Sequence, residues 1–265
     1  MERLRGVRGA LIDIDGVLTV SWKPLPGTVA ALVSLREQGL PLALLTNTTS
    51  RSRSSIARTL AGAGFPIGAD DILTAPAITA AYLAERYPGA RCLLLNSGDI
   101  VEDLGGVTLV GEDEGPDVVV VGGAGPEFDY PALDEAFRCL QRGARLVAMH
   151  RNLYWRTDAG LQLDAGAFLL GLERAAGVEA EVVGKPSGAF FAAALTRLGV
   201  GAAEAVMVGD DVEADVLAAQ RAGIAGVLVR TGKYVPEAVR RAGGVPDRVV
   251  DSFADVPGLL GLGSA

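Results

Sequence analysis

Residues 7–18, Val-Arg-Gly-Ala-Leu-Ile-Asp-Ile-Asp-Gly-Val-Leu, decide the fold. An apolar run over 7–14 that breaks at Asp13-Ile14-Asp15-Gly16 reads as a buried strand with carboxylates at its carboxyl end. A second run, Ala205 to Val208, breaks in the same way into Gly209-Asp210-Asp211, with Asp215 just beyond. Buried strands that deliver clustered carboxylates to one sheet edge suit a hard cation and phosphoryl chemistry.

Outward from the first run, residues 26–38 read as a helix, with Pro26 near its first turn and Gly39 past its end. Residues 41–45 read as a second strand, ending in Thr46-Asn47-Thr48-Thr49-Ser50, and 51–63 as a helix. This β-α-β-α order marks a parallel sheet with helical crossovers. The late region repeats it. A short strand at 181–183 leads to Gly184-Lys185-Pro186-Ser187, followed by a helix at 187–198, a strand at 205–208, a helix at 211–222, a strand at 225–229 and a last short one at 249–250. Between these regions, strands are expected at 91–95, 107–110, 117–121 and 145–149, and helices at 76–86, 130–140 and 164–176.

Spacing predicts an insertion. Asp13 and Thr46 are 33 residues apart and Lys185 and Asp210 are 25 apart, each about one strand–helix unit. Thr46 and Lys185 are 139 apart, too far for one crossover. The fold class is therefore α/β: a Rossmann-like parallel-sheet core from residues 1–73 and 180–265, with an α/β cap domain inserted at 74–179.

The chain has 265 residues, a net charge of −8 and a pI near 4.8. Such a surface disfavours nucleic acid, which needs basic patches, but leaves room for a small phosphorylated substrate held at a local site. Cys92 and Cys139 lack metal-ligand spacing and read as buried free thiols. No apolar run approaches the roughly 20 residues of a membrane span, and the N-terminus has no apolar signal core. The expectation is a cytoplasmic protein that does not bind membranes.

The chemistry-bearing residues stand at strand ends. Asp13 and Asp15, two apart on a strand, would face one side. One could attack phosphorus while the other, with its pKa pushed apart, handles protons. Thr46 and Asn47 precede a helix and offer a hydroxyl, an amide and backbone N–H groups to a phosphate. Lys185 is one of only three lysines, with Lys23 and Lys233, and places a point charge in a loop between strand and helix. Asp210 stands at a strand tip. Asp211 and Asp215 share one helix face, where Asp211 also suits a plain helix cap. Each signal alone is compatible with ordinary turn or capping chemistry; their order along the chain is not.

Together the motifs LIDIDGVL (11–18), LLTNTTS (44–50), VVGKPS (182–187) and VMVGDDVEADV (206–216) resemble the haloacid dehalogenase (HAD) superfamily of phosphatases, in subfamily IIA with its large C2-type cap. Within it, AEVVGKPS and the pairing of GDD with Thr231-Gly232-Lys233 resemble the group of phospholysine/phosphohistidine inorganic pyrophosphate phosphatases and HAD-like hydrolase domain-containing proteins, with NagD-like relatives further off. The resemblance implies a Mg2+-dependent phosphatase that hydrolyses a small phosphorylated metabolite through an aspartyl-phosphate. It implies Asp13 as nucleophile, Asp15 as general acid and base, and Thr46, Asn47 and Lys185 as phosphate-binding. The metal would lie on the Asp13 carboxylate, the Asp15 main-chain carbonyl and Asp210, with Asp211 or Asp215 behind them. The same scaffold also allows a phosphotransferase or mutase, or a phospho-ligand-binding protein without turnover.

Other features are weaker. Gly122-Gly123-Ala124-Gly125 lacks dinucleotide-loop spacing and reads as a turn. His150, the only histidine, with Asn152 and Asp164, are candidates for substrate selection in the cap. Arg51, Arg53 and Arg58 read as a solvated helix face; Trp22 lies where the resemblance implies a substrate-side flap, and packing against the cap accounts for it equally well. An apolar cap sheet with a free edge offers a surface for a homodimer.

Overall fold

A computed structural model describes residues 2–157 and 160–262. The chain forms two compact units. Residues up to Thr46, Arg53–Leu73 and residues from Lys185 onward make the first; Asn47–Ser52 and Thr74–Gly184 make the second. The boundaries read from spacing, 73/74 and 179/180, differ in two places. Residues 180–184 belong to the second unit because Glu181–Val182 pairs in parallel with the strand Arg145–Ala148. Residues 47–52 belong there because the Asn96 amide holds the Thr49 carbonyl.

The first unit is built on a six-stranded sheet in the order Arg248–Val250, Ala225–Val229, Ala205–Gly209, Gly9–Asp13, Leu42–Thr46, Ile72–Thr74. The four central strands are parallel and each is buried along its whole length, which is why they read as continuous apolar runs. Numbered along the chain, this is the doubly wound order 3-2-1-4-5-6. It reverses between Gly9–Asp13 and Ala205–Gly209, and ligands settle beyond the carboxyl ends of the two strands at such a reversal. Ile12, Ile14, Leu32, Leu35, Leu44, Phe65 and Phe253 fill one face of the sheet.

Helices Thr28–Glu37, Arg53–Gly62 and Gly188–Leu198 flank this sheet, the last capped by the Ser187 hydroxyl accepting from Ala189 N. Where one continuous helix was expected at 211–222, the chain makes a π-helical turn at Val212–Leu217 and only then an α-helix, Ala218–Arg221. Trp22 sits at the tip of a two-residue hairpin between Thr19–Val20 and Lys23–Pro24 and packs against the core of this unit. Ser21 and Trp22 both have positive φ, the geometry of such tight hairpins.

The second unit holds a five-stranded parallel sheet in the order Glu181–Val182, Arg145–Ala148, Val118–Val121, Arg91–Leu95, Thr108–Leu109. Helices Tyr130–Gln141 and Ala165–Ala176 pack on it through Ala136, Leu140, Leu169 and Leu172. Cys92 and Cys139 are buried and free. An antiparallel hairpin of Tyr154–Thr157 and Gly160–Leu163, absent from the sequence reading, exposes Tyr154, Trp155, Leu161 and Leu163. Among the described residues no helix is long and apolar enough to cross a membrane.

Candidate active site

The reversal of strand order in the first unit brings distant residues together. Asp13 is the last residue of its strand, and Asp210 follows the neighbouring strand directly. Lys185, opening the segment that leads into helix Gly188–Leu198, places its Nζ 2.6 Å from Asp13 Oδ1 and 2.7 Å from Asp215 Oδ1. Carboxylate oxygens of Asp13, Asp210 and Asp215 lie within 4.8 Å of one another. All four side chains are buried, and Thr46, at the end of the adjacent strand, is buried as well.

Three carboxylates therefore crowd together, two of them on the Lys185 ammonium, while the Lys233 charge also acts on Asp13 and Asp210. Burial pushes the Asp13 carboxyl above its ordinary range, and the Lys185 charge and hydrogen bond only partly oppose it. Burial, then repulsion from Asp13 and Asp215, raises Asp210 well above the usual value. Asp215 rises to about 6, chiefly by burial. Burial works against the Lys185 charge, but the attraction of Asp13 and Asp215 outweighs it and holds the proton more tightly than on a free lysine. Ionised, the three carboxylates exceed the Lys185 and Lys233 ammonium groups by one negative charge. The cluster's donors are all carboxylate oxygens in one dry place, a set that fits a hard divalent cation such as Mg2+.

One expectation needs correction, and one alternative is resolved. Asp13 and Asp15 do not share a strand face, because the strand stops at Asp13. Asp15 lies in the turn beyond it, exposed to solvent, where Gly16 N donates to Thr19 O at 2.7 Å. Asp211 is a helix cap, its Oδ1 accepting from Glu213 N at 3.1 Å and Ala214 N at 3.0 Å. It is Asp215 that belongs to the carboxylate cluster. The wide π turn returns its Oδ2 to Asp211 N at 3.3 Å, and Gly209 leaves room for it: a Cβ there would fall 2.3 Å from Asp215 Cβ.

A clamp on Asp210 was missed. Lys233 N donates to Asp210 Oδ2 at 2.7 Å, and the Thr231 hydroxyl donates to Gly16 O. Gly16 and Gly232, both with positive φ, close on the same carboxylate. The sequence signal was the Thr231-Gly232-Lys233 triplet, noted only as a mark of resemblance.

In the second unit, Asn47 places its Oδ1 beside Gly184. His150 is buried; its Nδ1 accepts from Asn152 N at 3.3 Å, and its Nε2 is 3.9 Å from Asp164 Oδ1. That same Asp164 oxygen accepts from Ala165 N at 2.7 Å, capping helix Ala165–Ala176, and from Ala124 N at 3.3 Å.

Comparison with known proteins agrees with this geometry. A family model described as haloacid dehalogenase-like hydrolase matches residues 10–109, and a second, HAD-hydrolase-like, matches residues 182–256. The chain is 37% identical to the phospholysine phosphohistidine inorganic pyrophosphate phosphatase of Bos taurus over 98% of its own length and 96% of the relative's. It superposes on the p-nitrophenyl phosphatase of Archaeoglobus fulgidus with a TM-score of 0.89 at 31% identity, covering 96% of this chain and 99% of that one. It superposes on the glycerol phosphate phosphatase of Mycobacterium tuberculosis, solved in complex with magnesium, with a TM-score of 0.85 at 28% identity, covering 95% and 76% of the two chains. Carboxylates gathered at the switch point of a doubly wound sheet, together with these likenesses over nearly the whole chain, place the protein in the haloacid dehalogenase-like hydrolase family, among its phosphatases.

Proposed function

We propose that this protein is a Mg2+-dependent phosphatase that hydrolyses a small phosphorylated metabolite through an aspartyl-phosphate. The observation that carries the reading is the placement of Asp13, with Lys185 at 2.6 Å on one oxygen and Asp210 close by, at the switch point of the sheet. In its ionised form, a carboxylate hydrogen-bonded to a buried ammonium is a nucleophile. An Asp13 oxygen attacks phosphorus, and the bond from phosphorus to the leaving oxygen breaks. Asp15, exposed in the turn after the strand, gives that oxygen its proton. Asp15 then takes a proton from water, which attacks the phosphoaspartate and releases phosphate and free Asp13. Lys185 and Thr46 bind the transferring group at the sheet edge, and Asn47, the next residue along the chain, binds it through its amide. The Asp13 and Asp210 carboxylates and the Asp15 carbonyl would hold Mg2+, which when bound neutralises charge on the phosphoryl oxygens.

The second unit is the natural source of substrate selection in this reading, with His150, Asn152 and Asp164 as candidate contributors. The test is p-nitrophenyl phosphate turnover by wild type and Asp13→Asn. The expected result is turnover by the first and none by a folded second. An active Asp13→Asn protein would move the nucleophile elsewhere, and phosphate binding by an inactive wild type would make it a phospho-ligand-binding protein.

A further inference from the structure

The sheet of the second unit has a reversal of its own. Numbered along the chain within that sheet, the strands lie in the order 2-1-3-4-5 and turn about between Arg91–Leu95 and Val118–Val121. Ligands settle beyond the carboxyl ends of the two strands at such a point. Here the place is taken by the chain itself. Asn96 directly follows one strand and Gly122-Gly123 the other. Asn96 Oδ1 accepts from Gly123 N at 2.8 Å, while its Nδ2 donates to Thr49 O at 3.0 Å and to Ser97 O and Gly98 O at 3.1 Å. An amide is the side chain that can accept on one atom and donate to carbonyls from the other in this way.

The fit around residues 49–51 is close. A Cβ on Gly123 would lie 2.1 Å from Thr49 Oγ1, and one on Gly98 would lie 2.5 Å from the Ser50 backbone. Arg51 forms an isolated parallel bridge with Asp99. Two residues upstream of Thr49 is Asn47, whose Oδ1 a Cβ on Gly184 would approach to 2.7 Å.

We propose that Asn96 is a positioning residue for phosphate binding: its amide, at the switch point of the second sheet, fixes Thr49 and thereby the segment from which Asn47 addresses the phosphoryl group. This rests on the reading of Asn47 as a phosphate-binding residue. Asn96→Asp keeps the shape, deletes the donor and turns a carboxylate towards three carbonyl oxygens. Gly123→Ala disturbs the same anchor from the other side, through the Thr49 hydroxyl, and Thr49→Ala removes the oxygen that it would strike.

The experiment measures KM and kcat for p-nitrophenyl phosphate, and calorimetric binding of inorganic phosphate, in wild type, Asn96→Asp, Gly123→Ala and Thr49→Ala/Gly123→Ala, with circular dichroism to verify folding. The expected result is that KM and the phosphate Kd rise about tenfold in both single variants, the loss of roughly one buried hydrogen bond, while kcat changes less than about twofold. The double variant should return both constants to near wild type. Were Asn96→Asp to misfold, Gly123→Ala and its relief by Thr49→Ala decide alone. Unchanged KM and phosphate Kd in folded single variants overturn the positioning role and leave the phosphatase reading intact. A wild type that neither turns over the ester nor binds phosphate removes the phosphatase reading, and this role with it.

Discussion

Gly16 presses its bare Cα against the carboxylate of Asp210: a methyl group there would lie 1.9 Å from Asp210 Oδ2. The φ of +83° at Gly16 adds a second reason for glycine. Gly16→Ala is therefore expected to lose turnover by more than about a hundredfold and to cost roughly 1–3 kcal/mol in stability. Gly39→Ala is the control. It also has a positive φ but meets nothing within 4 Å, so it should lose about 1–2 kcal/mol and keep its activity. Equal activity in the two variants, measured with p-nitrophenyl phosphate, would contradict the clamp.

Lys185 is the sole ammonium bonded to both Asp13 and Asp215 among the described residues. Lys185→Met leaves two buried carboxylates facing each other without it. Stability should fall by about 3–5 kcal/mol. Adding Asp215→Asn should recover part of that loss and none of the turnover. Urea denaturation of the single and double variants checks this; a double variant no more stable than the single one would show that charge is not the cause.

Divalent-cation binding predicts two coupled effects. EDTA should abolish turnover and added Mg2+ restore it. Mg2+ should also raise the melting temperature, since a ligand that binds only the folded state stabilises it by mass action. In Asp210→Asn the rise should shrink. A melting temperature indifferent to Mg2+ in wild type would count against the carboxylate cluster as the site.

Tyr82 and Tyr87 both donate to Glu181, one phenol to each carboxylate oxygen. Burial first, then the Glu181 hydrogen bond and charge, raise the Tyr82 phenol to about 12. The folded state thus holds this proton more tightly than the unfolded one, and stability falls as pH climbs from 10 to about 12. Glu181 shifts the other way: burial raises it, but the two phenols outweigh burial and the net pKa is lowered. Its contribution is present above the ordinary glutamate range and fades in acid. Ultraviolet titration should show a late phenolate phase that moves to lower pH in Glu181→Gln. An unmoved phase would mean that burial alone sets it.

Asp164 caps helix Ala165–Ala176 and also receives Ala124 N. Asp164→Ala should cost about 1–2 kcal/mol, the upper part of the range for a lost N-cap. Thermal melts check the value, and Asp164→Asn, which retains an acceptor, should recover most of it.

Much of the site was legible because it sits where apolar runs stop. Asp13, Thr46 and Asp210 were all found as the residues at the ends of buried strands, and strand ends show as abrupt changes in local composition. The rest depended on geometry that composition does not record. The strand ended at Asp13, two residues short of Asp15, so the alternation rule did not apply. Asp211 and Asp215 were left as alternatives, and the π turn at Val212–Leu217 separates them, since a regular helical pattern gives no sign of an added residue per turn. The hairpin at 154–163 was hidden because its apolar side chains face solvent and form no buried run.

Order along the chain, and the chemistry of the residues at each break in it, were settled by the sequence: a parallel α/β sheet, carboxylates at its rim, one notable lysine, and a long interval between the second and third motifs. Which of them touch was settled by strand order. Only folding sets Gly9–Asp13 beside Ala205–Gly209, brings Lys185 between Asp13 and Asp215, and closes Gly16 and Gly232 on Asp210. A linear pattern encodes which segments are buried; the distances between their ends follow from how the sheet is assembled, and that is a property of the whole chain.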